Sequence, residues 1–401
     1  MTSRERVQAA FEHREPHRTP FFEKLIKSPI ADLILGRPSV THNFVHRMRL
    51  LAERDWEELV EAEAVEVVDT VQRLGMDLVR LGTNIGCRLQ RPVQTGEFTW
   101  REGDSIVRFI PGSPWVERCA IDGRAATPEE EEQAMIRSLE QDAPLPAPPS
   151  DDHFYVFKRA RELLAQRGLD PAIFVSVYTM PVCTLPRYMF AWFHDRPHLL
   201  HRYYRRCSEN ALSLIPNYVA SGADIVGLGG DLAADSGPLI SPAHYRRFIL
   251  PHLREQAELC HSLGVWCTTA SDGNLWSLLD VLLLESGVDG FEEIDFAAGM
   301  DLRRLKQRYG ARITFIGNID VRWLLTGASP HEVERATVDC IEAGWGDGGH
   351  ILMSSNCIHE GVRPANFEAT VNAYRNYFGI TDGPAPLAVR HLNLPGYAIP
   401  S

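Results

Sequence analysis

The sequence predicts an α/β chain closed into a (β/α)8 TIM barrel, with helices ahead of the barrel and a small antiparallel insertion. Three observations predict it. Short apolar runs of strand length recur along the chain, and helical patterns lie between them. No GxGxxG follows any of these runs, which argues against an open dinucleotide-binding sheet. The residues just beyond the runs are mostly acids and amides, and the C-terminal strand ends are where a barrel carries its chemistry.

The elements follow in order. Thr2 and Glu5 form a capping box for a first helix whose apolar face is Val7, Ala10 and Phe11. Thr19-Pro20-Phe21-Phe22-Glu23 reads as a short buried strand, residues 40–75 as helix, and 77–82 as the second strand. From 87 to 122 the period changes to short alternating runs broken by Gly96, Gly103 and Gly112, the pattern of an antiparallel meander inserted as a flap. Its place after the second strand suits a cover for the barrel mouth. Pro144 to Pro149 is a stiff connector. Strands are then expected at 173–178, 224–228, 264–268, 290–294, 312–316 and 350–353. Helices are expected near 197–221, 242–262, 275–287, 300–309, 329–345 and 365–378. With the strands near 21 and 78, this makes eight βα-like units.

Composition narrows the functions. The 401 residues are 44% hydrophobic and 23% charged, so one large core is available and residues 1–401 read as a single domain. A net charge of -12 with no basic run argues against nucleic acid or an anionic membrane as partner. The apolar stretch Val281-Leu282-Leu283-Leu284 is too short to cross a bilayer, and the first residues have no signal-peptide core. Eight cysteines without a CxxC read as free thiols in a cytoplasmic protein.

The predicted strand ends carry Glu23, Asn84, Tyr178, Asp231, Ser271-Asp272-Gly273-Asn274, Glu292-Glu293, Gly317-Asn318-Ile319-Asp320 and Ser354-Ser355-Asn356-Cys357. Asp and Asn often follow strands only because they start turns and cap helices. A whole rim of them is better explained by a pocket, because buried carboxylates cost free energy until something partners them. Asp272, Asp231, Glu293, Asn356 and His359 are therefore the candidate catalytic residues. Glu23, Asn84, Tyr178, Asn274 and Asn318 are candidates for binding substrate. Gly273 permits a positive φ, and Asn274 can cap a helix from Leu275, which leaves Asp272 to face the mouth. Cys357 and His359 are close enough in sequence to suggest a thiol–imidazole pair, although such pairs are usually assembled from distant segments.

Together these residues resemble the uroporphyrinogen decarboxylase superfamily, which also holds the methylcorrinoid methyltransferases. The resemblance rests on Arg4-Glu5-Arg6-Val7, Glu15-Pro16-His17-Arg18-Thr19-Pro20, Gly222-Ala223-Asp224 and Asp231 with Gly237-Pro238-Leu239-Ile240-Ser241-Pro242 and Tyr245. It continues in Ser271-Asp272-Gly273-Asn274, Gly299-Met300-Asp301-Leu302, Lys306-Gln307-Arg308-Tyr309-Gly310, Gly317-Asn318-Ile319-Asp320 and Pro364-Ala365-Asn366-Phe367. It implies the family's barrel and its common homodimer.

The departures are as informative. Decarboxylases of the family bind a poly-acid through an N-terminal arginine pair, whereas this chain has Phe21-Phe22-Glu23-Lys24-Leu25. Their substrate-binding Asp falls near Asn84, their Ser near Ala234 and their histidine at Asn356. Thr184-Leu185-Pro186-Arg187-Tyr188-Met189 resembles the segment carrying their tyrosine, so Arg187 and Tyr188 join the substrate-binding candidates. In the methyltransferase branch zinc is held by His-x-Cys and a later Cys. Here Ala270-Ser271-Asp272 stands at the first place and Asn356 or Cys357 at the second, leaving Cys357 and Asp272, with His359 or Glu293, as the donors of any rebuilt metal site.

The leading expectation is a methyltransferase acting with a corrinoid (cobalamin) supplied by a partner protein or with a small-molecule methyl donor. A metal-free decarboxylase or other lyase acting on a carboxylic acid is the second. A non-catalytic tetrapyrrole or corrinoid carrier is the third.

Overall fold

The computed structural model describes residues 1–82, 91–111, 116–121, 127–141 and 150–381. Seven strands, Leu78–Arg80, Ala172–Ser176, Ile225–Gly229, Trp266–Ala270, Gly290–Glu292, Thr314–Ile316 and His350–Ile351, pair in sequence order, and every pairing is parallel. Residues 20–22 lie between the first and the last. Asp77 N donates to Phe21 O at 2.8 Å on one side; on the other, Phe22 N donates to Leu352 O and Leu352 N to Pro20 O. The eighth expected strand thus closes the ring with only a few backbone bonds.

Alternation along the strands sorts side chains between inside and outside. Leu78, Phe174, Ile225, Ile316, Ile351 and Met353 form an inner cluster with Phe22, while Val79, Ile173, Val175, Val226, Leu228, Phe291 and Phe315 pack outward in the larger cluster with the surrounding helices. Gly227 points inward because Phe174 and Tyr178 fill the space beside it: a Cβ there would lie 2.6 Å from the Phe174 ring.

Helix Ser3–Phe11, with the expected Thr2–Glu5 capping box, lies across the N-terminal opening. Its Val7, Ala10 and Phe11 join the inner cluster, Phe11 stacks on Trp266 at 5.1 Å, and the Thr314 hydroxyl donates to Ala10 O. Ion pairs fix it there. Arg6 reaches the fully buried Asp77 at 2.5 Å, Arg18 reaches the same carboxylate at 3.0 Å, and Phe21 N donates to its other oxygen. Arg4 pairs with Asp224 and Asp170, and Glu15 accepts from Gly346 N and Gly348 N.

The insertion forms a four-stranded antiparallel sheet, Val93–Gly96, Thr99–Glu102, Ser105–Phe109 and Val116–Ala120, with its own small core of Trp100 and Phe109 against Val45 and Met48 of helix Phe44–Glu53. Three expectations need correcting. The helix expected over 40–75 is two, Phe44–Glu53 and Trp56–Leu74, broken at Arg54 and Asp55. The helix expected at 275–287 is a run of turns ending in a π-helical turn, Asp280–Leu284. Helix 242–262 is two helices, Pro242–Phe248 and Leu250–Ser262, breaking just ahead of Pro251, which cannot donate to the preceding turn.

Truncating Asp77 to Ala strands two arginines and opens the seam at residue 21. Urea denaturation should show a loss of about 3–5 kcal/mol, against less than about 1 kcal/mol for Glu12→Ala in its exposed pair with Arg14.

Candidate functional site at the barrel mouth

Two strand ends converge on one cation. Lys24, two residues beyond the closing strand and largely buried, donates to Tyr178 Oη at 2.7 Å and pairs with Glu293 at 2.7 Å and Glu292 at 2.9 Å. Glu292 is wholly buried as the last residue of its strand and accepts a 2.5 Å hydrogen bond from the Thr268 hydroxyl. Glu293, next in sequence, turns back to the same ammonium with φ at 58°. Burial opposes the charge on Lys24, but attraction to Glu292, Tyr178 and Glu293 outweighs it and holds the pKa above the ordinary lysine value. Burial, followed by the charge of Glu292, keeps the Tyr178 phenol protonated.

Beside this cluster is an open cavity of about 310 Å³, lined by Asp272, Gly273, Asp295, Arg322, Asn356 and His359 among others. Asn356 donates its amide to Asp272 at 2.6 Å. Burial first, then the charge of Glu293, lifts the Asp272 pKa to about 7; Asp231 and Asp295 push the same way, and the Asn356 hydrogen bond opposes them. Asp231 is raised by burial and by Glu293, and accepts from the Cys183 thiol at 3.6 Å. That thiol is pushed up to about 11 by its own burial and by Asp231.

The walls are tied together. Gly273 has φ at 82°, and a Cβ there would strike the Ala233 and Ala234 carbonyls at 2.7–2.9 Å, so glycine lets the hairpin Ala233–Ala234 and Gly237–Pro238 close on this loop. Asn274 N completes the contact with Ala234 O. Arg322 spans the rim, bidentate to Asp235 at 2.8 Å and reaching Asp295 at 3.1 Å.

The structure therefore brings Asp231, Asp272, Glu293, Asn356, His359 and Tyr178 to one mouth and sends other candidates elsewhere. Glu23 is buried behind Ser354, whose hydroxyl donates to it at 2.5 Å; burial lifts its pKa to about 8, and the Ser354 bonds oppose the rise. Asn274 caps Trp276 N, and Asn318 donates its amide to Met300 O, so both serve the scaffold. Asn318 also lines a separate cleft of about 620 Å³ between the outer helices Leu302–Tyr309 and Pro330–Gly344; the smaller mouth cavity is the one that holds the perturbed carboxylates. Arg187 is exposed at the start of helix Arg187–Asp195, and Tyr188 packs on Trp192 with Glu131 and Glu132 of another outer helix as its charged neighbours, away from the mouth. Asn84 lies outside the described residues. The His359 imidazole accepts from Gly361 N, and burial holds it neutral; the charged groups acting on Cys357 are Lys27, Glu293, Asp272 and Glu360, so the thiol–imidazole pair is not formed.

Zinc at the mouth does not fit these residues. Among the described residues, Cys357, Asp272, Glu293 and His359 do not bring their donor atoms together, and the Asp272 carboxylate is engaged by Asn356. Lys24 is the functional residue the sequence did not single out. A lysine in an apolar strand end was visible, but not that two adjacent glutamates 268 and 269 residues later would face it.

The model of the family described as uroporphyrinogen decarboxylase (URO-D) matches residues 173–377, just over half of the chain. The chain belongs to the uroporphyrinogen decarboxylase family. Among solved structures it is similar to a methyltransferase from Methanosarcina mazei, at 17% identity and a TM-score of 0.62, with 94% of this chain and 99% of that one covered. At that identity the likeness speaks to the fold. A sugar phosphate isomerase/epimerase from Parabacteroides distasonis overlaps 56% of this chain and 77% of its own, at 13% identity and a TM-score of 0.31. No curated protein matches the sequence. The match covers the C-terminal strands and the loops bearing Asp231, Asp272, Glu293 and Asn356. The mouth of this chain is acidic, with Lys24 as the cation among its carboxylates.

Replacing Lys24 by Met leaves Glu292 without its counter-charge in a dry site. The expected loss is about 3–5 kcal/mol in urea denaturation, and adding Glu292→Gln should restore more than half of it. Asp272 works in the opposite sense. Between about pH 4 and its folded pKa of about 7 the native state keeps a proton that the unfolded chain has released, so this group's contribution to stability falls as pH rises through that window. Asp272→Asn should melt above wild type, with a margin that grows from about pH 5 to about pH 8.

Proposed function

We propose that this family member is a methyl-transfer enzyme that demethylates a small, uncharged methyl ether, with Asp272 as general acid. The observation that carries the reading is a carboxyl with a pKa of about 7, steadied by Asn356 and facing an open cavity at the mouth. A group half-protonated near neutrality can hand its proton to a leaving phenolate or alkoxide oxygen. The methyl carbon–oxygen bond breaks, the methyl group passes to the acceptor, the electron pair stays on oxygen, and Asp272 supplies the proton. Asp231 and Glu293 keep Asp272 protonated before the step and orient the substrate's polar groups.

Electrostatics favours this substrate class over a carboxylic acid. Lys24 and Arg322 are already committed to Glu292, Glu293, Asp235 and Asp295, so an incoming carboxylate meets fixed negative charge. Arg187, which a small-acid lyase would use, is exposed and does not line the mouth cavity. The similarity of the whole barrel to a methyltransferase fold adds support.

A corrinoid presented by a partner protein would supply the nucleophile that accepts the methyl group. The cavity, at about 310 Å³, suits a small substrate and not the macrocycle, which fits presentation from outside.

Methyl transfer from aryl and alkyl methyl ethers to reduced cobalamin, followed by its visible spectrum, tests the proposal. Turnover should fall above about pH 7, and Asp272→Asn should lose about 10²–10⁴-fold in kcat. Unchanged turnover in Asp272→Asn, or no methyl ether accepted, overturns it.

A further inference from the structure

The barrel wall carries a second cluster, remote from the mouth, that the proposed methyl transfer does not use. It sits at the N-terminal end of strand Trp266–Ala270, where Cys267 faces outward toward the end of helix Leu250–Ser262 and toward Asp289, the residue just ahead of the neighbouring strand Gly290–Glu292. His261 Nε2 lies 3.0 and 3.2 Å from the two Asp289 oxygens and 4.0 Å from Cys267 Sγ. One atom from each of the three side chains falls within 4.8 Å of the other two. The Cys260 thiol is in hydrogen-bonding contact with Cys267 from behind, and both cysteines are wholly buried.

We infer that His261, Cys267 and Asp289 form a zinc site that pins helix Leu250–Ser262 to the barrel wall. The donor set is one thiolate, one imidazole and one carboxylate, which suits zinc better than the hard cations that prefer oxygen alone. A tetrahedral zinc with bonds of about 2.0–2.3 Å places neighbouring N, O and S donors about 3.4–3.6 Å apart. The imidazole's separations of 3.0–4.0 Å from the other two donors bracket that value, and all three donor atoms lie within 4.8 Å of one another, so modest side-chain movement closes them on one ion. Asp289 is already oriented by accepting Cys267 N at 2.8 Å, and a backbone bond from Asp289 N to Cys267 O locks the two residues together. His261 is 45% exposed, which gives the ion a path in and leaves the fourth position to water. The hydrogen bond with the Cys260 thiol, then burial, raises the proton affinity of Cys267; zinc displaces that proton as it binds.

The chemistry differs from anything at the mouth, and its success or failure is independent of methyl transfer. The test uses the full chain with thiols reduced and zinc ions in competition with a chromophoric chelator. One zinc per chain is expected, with a melting temperature that rises on zinc addition. His261→Ala, a surface change that leaves the core intact, should weaken binding roughly 100-fold, the share of one ligand, and abolish the thermal shift. Cys267→Ser should do the same, while Asp272→Asn at the mouth should bind zinc as wild type does. Failure of the wild type to take up zinc overturns the inference. So does His261→Ala binding with unaltered affinity, or zinc lost from Asp272→Asn instead.

Discussion

The carboxylate of Asp77 sets the architecture. It is fully buried, holds Arg6 and Arg18, and accepts from Phe21 N, while its own amide donates to Phe21 O. These bonds seat residues 20–22 in the gap between the first and last strands, where the ladder is otherwise thin. An unpaired charge in that seam would be costly, so the closing segment has a single favourable position. Everything at the mouth that depends on Lys24 depends on this seam, because Lys24 follows the closing segment by two residues.

Lys24 in turn determines how charge is shared among the rim carboxylates. It pairs with Glu292 and Glu293, the two closest to it, at 2.9 and 2.7 Å, a single cation shared between two carboxylates. Asp231 and Asp272 are left without a cation of their own and sit in the residual negative field, where burial and Glu293 drive their affinity for protons up. The acid chemistry proposed for Asp272 is thus a product of what its neighbours have already claimed. Asn356 fixes which way that carboxyl faces without supplying charge.

Much of this was legible in the chain. The strands at 225–229, 290–292, 314–316 and 350–351 fall within a residue or two of where apolar runs end in Gly, Glu or Asn, because a buried parallel strand must be apolar on both faces. The strand at 266–270 begins two residues later than expected, after Gly264 and Val265, which serve the helix terminus. The motifs that carry the family resemblance near the N-terminus, Arg4, Arg6, Glu15 and Arg18, are the residues that dock the first helix and close the ring. Side-chain direction was not legible. Asn274 and Asn318 have the spacing of pocket residues, yet their amides satisfy Trp276 N and the Met300 carbonyl. Tyr188 lies on a helix, where a change of 100° per residue decides between mouth and exterior, and here it turns toward Trp192. Nor does any local pattern reveal that His261, Cys267 and Asp289 meet, since the third comes from a different strand.

Helix Ser3–Phe11 has a consequence for traffic. With Val7, Ala10 and Phe11 packed into the barrel interior, the lower opening is stoppered, and among the described residues the open side is the mouth. The way in and out of that side runs past the Arg322 clasp between Asp235 and Asp295. A large partner seated over that aperture, as the proposed methyl transfer requires, would cover it, so under that proposal the small molecule loads before the partner arrives and unloads after it departs.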